Sequence, residues 1–189
     1  GADYQISNEQ SITGSFLFRP SLGNNTVDLN YRDLDANGNE VRSINRFDDE
    51  TETETAYEGS INWQKTFNGN DKHKWTADFR YSVEDDREQS TITQDTLGRP
   101  GQFIQLVDNL EYQSSYLFQT DYVHPLGEKK SYELGSRATL RTIDNDYGLD
   151  DVLSDGSLVA DPVFNNRFTF IENVYAAYGI YNGTFRESI

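Results

Sequence analysis

The sequence predicts an all-β fold built from antiparallel strands, and three observations support this prediction. Apolar and polar residues alternate in several segments, and a period of two places successive side chains on opposite faces of a strand. Short turns and long polar stretches follow one another along the chain. The longest apolar runs, such as Val174–Tyr178, are far shorter than the ~20 residues that a membrane-spanning helix needs.

The clearest alternation surrounds the sharp turn at Asn68–Asp71. The apolar positions on either side of this turn are Tyr57, Gly59, Ile61, Trp63, Trp75, Ala77, Phe79, Tyr81 and Val83. The positions between them are polar, as at Asp78 and Arg80. An apolar face edged by aromatic rings, opposite a charged face, is typical of a strand in a membrane β-barrel.

The remaining strands are predicted from the same alternation. In chain order they are a strand tail at Gly1–Gln5 and strands at Ile12–Phe18, Leu110–Tyr122, Tyr132–Leu140 and Phe168–Tyr181. In the last strand the consecutive polar residues Glu172 and Asn173 interrupt the alternation, so the side of the strand that carries the apolar residues is less clear. We expect its apolar face to consist of Val174, Ala176, Tyr178 and Ile180.

The connections between strands alternate in length. The short ones are Ile6–Gln10, Asn68–Lys72 and Pro125–Lys130, and Asn182–Gly183 begins a fourth. The long, acidic loops lie near 19–55, 84–109 and 144–167. Short turns on one side and long loops on the other are typical of outer-membrane barrels. A soluble β-sandwich also alternates, but its loops need not sort by length.

Two of the long stretches contain hairpin signals of their own. Asp35–Asn39 and Leu97–Gly101 are glycine-containing turns between alternating segments, and such turns favour β-hairpins. We therefore expect strands that continue beyond the membrane and end in exposed hairpins.

The number of strands predicts a partial barrel. About seven spanning strands can be recognised, whereas single-chain bacterial barrels have an even number between about 8 and 26. We expect residues 1–189 to form one domain, an antiparallel up-and-down transmembrane β-barrel of about seven or eight strands that belongs to a larger barrel. Unpaired terminal strands are not tolerated in lipid. We therefore expect an open sheet that neighbouring strands complete.

The composition argues against several classes of function. A net charge of −16 is unsuited to nucleic acid, because phosphate binding needs a basic face. The chain has no cysteine, so neither a disulfide nor a thiolate metal site can form. Adjacent carboxylates such as Asp85 and Asp86 are expected by chance among 32 acidic residues. We expect neither enzymatic activity nor a cofactor.

The candidate functional residues are the polar side chains of the spanning strands. We expect the lumen to be faced by Lys74, Asp78, Arg80, Glu133, Arg137 and Arg141. These residues form part of a polar path or a plug-docking surface, or they are simply solvated in a wet interior with cross-strand ion pairs. The residues that we expect to face lipid, or to form the aromatic girdle at the membrane interface, are Trp63, Trp75, Phe79, Tyr81, Tyr116, Phe118, Tyr122 and Tyr132.

A metal site has weaker support in the sequence. Asp33, Asp35 and Asn37 match the first half of a calcium loop, in which alternating oxygens wrap a hard cation. The twelfth position of such a loop should be glutamate but is Ile44 here, which favours a plain hairpin tip. Neither of the two histidines has a cysteine or a second histidine nearby, so metal ligation by histidine has little support.

Several segments resemble the outer membrane protein beta-barrel family of TonB-dependent receptors in Gram-negative bacteria. They are Trp63–Phe67 with the turn and Lys74–Ser82 after it, Asp121–Leu126, Gly135–Ala138, Arg141–Tyr147 and Glu172–Tyr178. The segments occur in order and at matching spacing over nearly the whole chain. The resemblance implies a barrel of about 22 strands that encloses a plug, with TonB supplying energy from the inner membrane.

The resemblance also implies a function and a set of partners. It places the chain in the bacterial outer membrane, as part of a receptor that imports a nutrient. Its partners would be membrane lipid, the remaining barrel strands, the plug and TonB. Two alternatives stay open. One is a non-transporting barrel that acts as a scaffold or docking surface, for example for a surface lipoprotein, and the other is a soluble all-β binding module.

Overall fold

The computed structural model describes residues 1–98 and 101–183 as one antiparallel sheet. Its strands are β1 (Ala2–Ser7), β2 (Gln10–Leu34), β3 (Glu40–Phe67), β4 (Asn70–Thr96), β5 (Gln102–Pro125), β6 (Lys130–Val152), β7 (Leu158–Ala160) and β8 (Asn166–Gly183). Strands β1 to β6 pair in chain order, and β7 and β8 both pair with the outer edge of β6. This up-and-down arrangement confirms the predicted all-β class.

The sheet is not closed within the described residues. There, β1 pairs only with β2, and β8 pairs only with β6. Each of these strands therefore has one edge whose backbone groups meet no other strand in the described part of the chain. This confirms that the sheet is open. Its completion by further strands stays a prediction.

The strands are longer than a bilayer requires. β3 contains 28 residues and β4 contains 27, whereas a tilted strand crosses the hydrocarbon layer in about 9–11 residues. The stretches near 19–55 and 84–109, predicted as long loops with hairpin tips, are paired strand almost throughout. Threonine alternates with acidic residues there, as in Thr51–Thr55, and threonine favours extended backbone.

The hairpin tips fall where the turn residues predicted them. The first tip connects Leu34 to Glu40, and Gly38 adopts a positive φ of 84°. The second connects β4 to β5, although residues 99 and 100 of this tip lie outside the described residues. In the third long stretch, near 144–167, β6 continues to Val152 and the short strand β7 follows. Asn182 and Gly183, which the sequence predicts to begin a fourth short turn, are instead the last residues of β8 and pair with Ser131 and Lys130. The residues after Gly183 lie outside the described residues.

The register sorts the side chains into two faces. Successive cross-strand partners, which share a face, are Gly14, Ile61, Phe79, Phe118, Ala138 and Tyr175. We call this side of the sheet the apolar face, and Trp63, Tyr81 and Tyr116 lie on it as the alternation predicts. The opposite side, the polar face, carries Arg80, Gln113, Arg137 and Arg141.

The predicted facing of the β8 side chains is wrong. Tyr175 pairs with Ala138, so the apolar face of this strand carries Ile171, Tyr175, Ala177 and Tyr181. The predicted set Val174, Ala176, Tyr178 and Ile180 lies on the polar face. Both faces of β8 are rich in apolar residues, so alternation alone could not decide which face a given position occupies.

Aromatic rings pair across neighbouring strands on the apolar face. Phe79 and Phe118 lie with their ring centroids 4.9 Å apart. Tyr81 and Tyr116 stack at 4.6 Å with an angle of 29° between the rings. Such cross-strand pairs are each worth roughly 0.2–1 kcal/mol relative to alanine pairs, so they reinforce the register that the backbone ladder sets.

The apolar face is not covered by any other part of the described chain. Ile61, Phe118 and Leu134 on this face are 51%, 47% and 53% exposed. Within the described residues only two large hydrophobic side chains, Ile92 and Leu149, are buried. A β-sandwich would bury this face against a second sheet, but the described strands form one sheet. In the ranges 1–98 and 101–183, no helix is long and apolar enough to cross a bilayer.

The turn between β3 and β4 consists of two residues, Asn68 and Gly69. Asn68 and Gly69 have φ values of 55° and 65°, as in the type I′ turns that join two antiparallel strands. A side chain with a Cβ atom strains this left-handed conformation, and asparagine and glycine tolerate it best.

We predict that Gly69→Ala lowers the free energy of unfolding by roughly 1–2 kcal/mol, because alanine is strained at positive φ. Gly59→Ala is the matched control. A Cβ atom at either position meets no atom within 4 Å, but Gly59 lies in the extended backbone of β3. Urea unfolding of the full-length protein in detergent micelles measures both changes. Equal effects would contradict the assignment of the turn.

Candidate functional site: the polar face of the sheet

The six polar residues that the sequence singles out all lie on the polar face. Lys74, Asp78 and Arg80 come from β4, and Glu133, Arg137 and Arg141 come from β6, with β5 between the two strands. Alternate positions of long, regular strands bring them to one side. The structure thus gathers these side chains on one surface. Their exposure to a barrel lumen stays a prediction.

Neighbouring strands are linked on this face by polar contacts. Asn62 donates a hydrogen bond from Nδ2 to Asp78 Oδ1 at 2.6 Å. Arg80 Nε lies 3.5 Å from Glu58 Oε1, and Arg141 lies 3.0 Å from Glu172. Both ion pairs are substantially exposed, so each contributes about 0–1 kcal/mol to stability.

A recess of about 340 Å³ lies among these contacts. It is lined by polar side chains from four strands, chiefly Asn62, Asp78, Arg80, Gln119 and Arg137. Two guanidinium groups and one carboxylate thus face the same space. Such a surface can form hydrogen bonds and ion pairs with a polar segment or with water.

Tyr178 connects three strands on the polar face. It lies directly opposite Gly135, and its ring covers the glycine, since a Cβ atom at Gly135 would overlap the ring. The Tyr178 hydroxyl donates a hydrogen bond to Asp121 Oδ1 on β5 at 2.5 Å. Glu133 Oε1 on β6 lies 2.9 Å from the Tyr178 hydroxyl oxygen. Asp121 also accepts a hydrogen bond from Gln119 at 2.8 Å. The edge strand β8 is thereby fastened across β6 to β5.

Of this cluster, the sequence singles out only Glu133 as a candidate functional residue. Asp121 and Gln119 occupy polar positions of β5, so the alternation of that strand was a signal for their facing. The facing predicted for β8 places Tyr178 on the opposite face, with the other members of the predicted apolar set. The remaining signal was Gly135, because a glycine inside a strand leaves room for an aromatic ring from the neighbouring strand.

An acidic patch lies on the polar face beyond the aromatic part of β4. Carboxylate oxygens of Glu52, Asp86 and Glu88 lie within 4.8 Å of one another. Asp86 Oδ1 is buried and has no hydrogen-bond partner among the described residues. Burial raises the pKa of Asp86, and the neighbouring charges of Glu52 and Glu88 raise it further.

The three residues of the calcium-like segment lie at the first hairpin tip. Asp35 Oδ1 accepts hydrogen bonds from the backbone N–H groups of Asn37 and Asn39, at 2.8 and 2.9 Å. The side-chain and backbone donors of Asn39 lower the pKa of Asp35 below its ordinary value. Asp33 lies 3.9 Å from Arg42 on the opposite strand. Asp35 thus closes the turn, and these contacts favour the hairpin-tip interpretation.

The eight aromatic residues singled out in the sequence lie together on the apolar face. Trp63 and Trp75 meet edge to face at 5.4 Å beside the short turn. The indole of Trp75 donates to Thr120 Oγ1 at 2.7 Å. Tyr122 and Tyr132 lie at the same end of the sheet, with ring centroids 6.2 Å apart. That these rings contact lipid stays a prediction.

One expectation about the histidines is wrong. His73 and His124 are 51 positions apart in the sequence, yet the register of β4 and β5 makes them neighbours. His124 Nδ1 lies 3.1 Å from His73 Nε2. Sequence spacing could not reveal this pair, because it depends on which residues of the two strands face each other.

Comparison with known proteins gives one match. The family model described as "outer membrane protein beta-barrel family" matches residues 65–188, which is more than half of the chain. Comparisons with curated proteins and with solved structures found no match.

We predict that Tyr178→Phe lowers the free energy of unfolding by roughly 1–2 kcal/mol, because Asp121 and Glu133 lose a shared donor. The matched control is Tyr175→Phe on the apolar face of the same strand, where Tyr175 is 71% exposed. Urea unfolding in detergent micelles compares the two variants. The stabilising role of the Tyr178 hydroxyl would be refuted if both variants were as stable as the wild type.

Proposed function

The chain belongs to the outer membrane protein beta-barrel family, and on that premise we propose that it forms part of the wall of a TonB-dependent receptor that imports a nutrient. The protein is located in the bacterial outer membrane. By the usual orientation of such barrels, the short turns point to the periplasm and the long hairpins point outwards.

The observation that carries the proposal is the sorting of side chains by face. In β4 the apolar face runs from Trp75 to Val83 without a charged residue, and Asp85 is the first charge to appear on it. The polar face over the same length carries Asp78 and Arg80. A soluble protein would leave the apolar face in water, whereas lipid covers it in a membrane and the polar face then lines the interior.

The open edges support a larger barrel. The outer edges of β1 and β8 meet no strand within the described residues. Backbone N–H and C=O groups cannot stay unpaired in hydrocarbon, because no water is present there to satisfy them. This requirement supports the proposal that further strands pair with these edges.

The transport part of the proposal rests on the resemblance and on the polar face. The segments Trp63–Phe67 and Lys74–Ser82 resemble TonB-dependent receptors. The recess that contains Arg80 and Arg137 offers hydrogen bonds and charge to a plug inside the barrel. A scaffold barrel without transport would use instead the hairpins that extend beyond the membrane.

We predict that Phe79→Arg lowers the free energy of unfolding in lipid vesicles by roughly 2–4 kcal/mol, because it places a charge in hydrocarbon. The neighbouring change Arg80→Ser, on the polar face, should have little effect. Urea unfolding of the full-length protein in vesicles measures both variants. Equal tolerance of the two changes would refute the assignment of the faces.

Nutrient uptake tests the proposed transport. Labelled metal chelates, oligosaccharides and peptides are offered to cells that lack this protein, lack TonB, or lack both. We expect one class of solute whose uptake falls equally in all three strains, since both proteins serve the same step. If every TonB-dependent uptake is unchanged in cells that lack this protein, the transport proposal fails and the scaffold alternative is favoured.

A further inference from the structure

The two histidines of the sequence converge with a tyrosine at the short-turn end of the apolar face. His73 Nε2 lies 2.9 Å from the hydroxyl oxygen of Tyr122. That oxygen lies 3.2 Å from His124 Nδ1, and the two ring nitrogens are 3.1 Å apart. Three atoms that can ligate a metal therefore form a nearly equilateral triangle.

Aromatic rings hold both imidazoles in place from outside. Phe67 stacks on His73 with ring centroids 4.4 Å apart and an interplanar angle of 27°. Tyr132 stacks on His124 at 5.0 Å, also at 27°. The two imidazoles stand nearly perpendicular to each other, at 85°. Their orientation is thus set by neighbours on three strands, which lowers the entropic cost of binding an ion.

Hydrogen bonding alone does not account for the whole triangle. Each ring nitrogen has a single in-plane proton or lone pair. A relay from His73 Nε2–H to the Tyr122 oxygen, and from the Tyr122 hydroxyl to His124 Nδ1, satisfies two of the three contacts. No proton then remains for the third contact, between the two nitrogens. A cation seated over the triangle would be shared by all three atoms.

The dimensions suit a tetrahedral transition metal. Ligand bonds of about 2.0–2.1 Å in a tetrahedral site place neighbouring ligand atoms about 3.3 Å apart. The observed separations of 2.9, 3.1 and 3.2 Å are close to this value. Imidazole nitrogens suit zinc, copper, iron and nickel, and copper binds most strongly in this series. We propose that His73, His124 and Tyr122 bind one Zn²⁺ or Cu²⁺ ion at the rim of the membrane.

Such an ion would connect β4 and β5 beside their short turns. Its fourth coordination position would be open to water, since the site lies at the end of the sheet. The proposal does not depend on transport, because it requires only the paired strands and their side chains.

Metal titration tests the site directly. The full-length protein without an affinity tag is prepared in detergent micelles and titrated with Zn²⁺ by calorimetry and with Cu²⁺ by electron paramagnetic resonance. We expect one ion per chain and nitrogen couplings from two imidazoles in the Cu²⁺ spectrum. His73→Ala and His124→Ala should each weaken binding at least about tenfold, and Tyr122→Phe should weaken it less. Tyr116→Phe, on the same face, is the control and should bind normally.

Two results would overturn the proposal. One is a folded wild-type protein that binds no stoichiometric ion or lacks the two-imidazole signature. The other is unchanged affinity when both histidines are replaced, which would assign the ion to carboxylates such as Glu52 and Asp86. Far-UV circular dichroism checks that each variant is folded. His73→Gln and His124→Gln replace the alanine variants if these do not fold.

Discussion

The antiparallel hydrogen-bond ladder is the constraint on which the rest of the structure depends. Because β2 to β6 pair continuously over more than 20 residues each, one register fixes the facing of every side chain in the sheet. A slip of one residue would exchange the two faces and move Phe79 to the side of Arg80. The apolar surface, the polar network and the histidine pair all follow from this register.

The described residues of the sheet bury almost no core, and this is consistent with its place in the outer membrane. A water-soluble domain gains stability by burying apolar surface within the chain. Here many large apolar side chains, such as Ile61 and Leu134, are about half exposed. On the proposed function, lipid would provide the apolar environment instead, and it would meet a surface on which aromatic rings such as those of Tyr81 and Tyr116 stack across strands.

The sequence predicted what a period of two can encode. The alternation around Phe79 and Arg80 assigned both residues to their faces, and Gly38 marked the first hairpin tip. Alternation failed for β8, because both of its faces carry apolar residues and only the partners Gly135 and Tyr178 reveal its parity. The histidine pair was hidden for a different reason. His73 and His124 meet only through the pairing of two strands, and that register is not visible in either strand alone.

The central claim is that the two faces of the sheet meet different environments, lipid on one side and a polar interior on the other. Nitroxide labels placed one at a time from residue 75 to residue 83, in the full-length protein in lipid vesicles, test this most directly. Accessibility to oxygen should peak at the odd positions, and accessibility to a water-soluble nickel complex should peak at the even ones. The account would be contradicted if the oxygen and nickel accessibilities peaked at the same positions, or if nickel accessibility peaked at the odd positions.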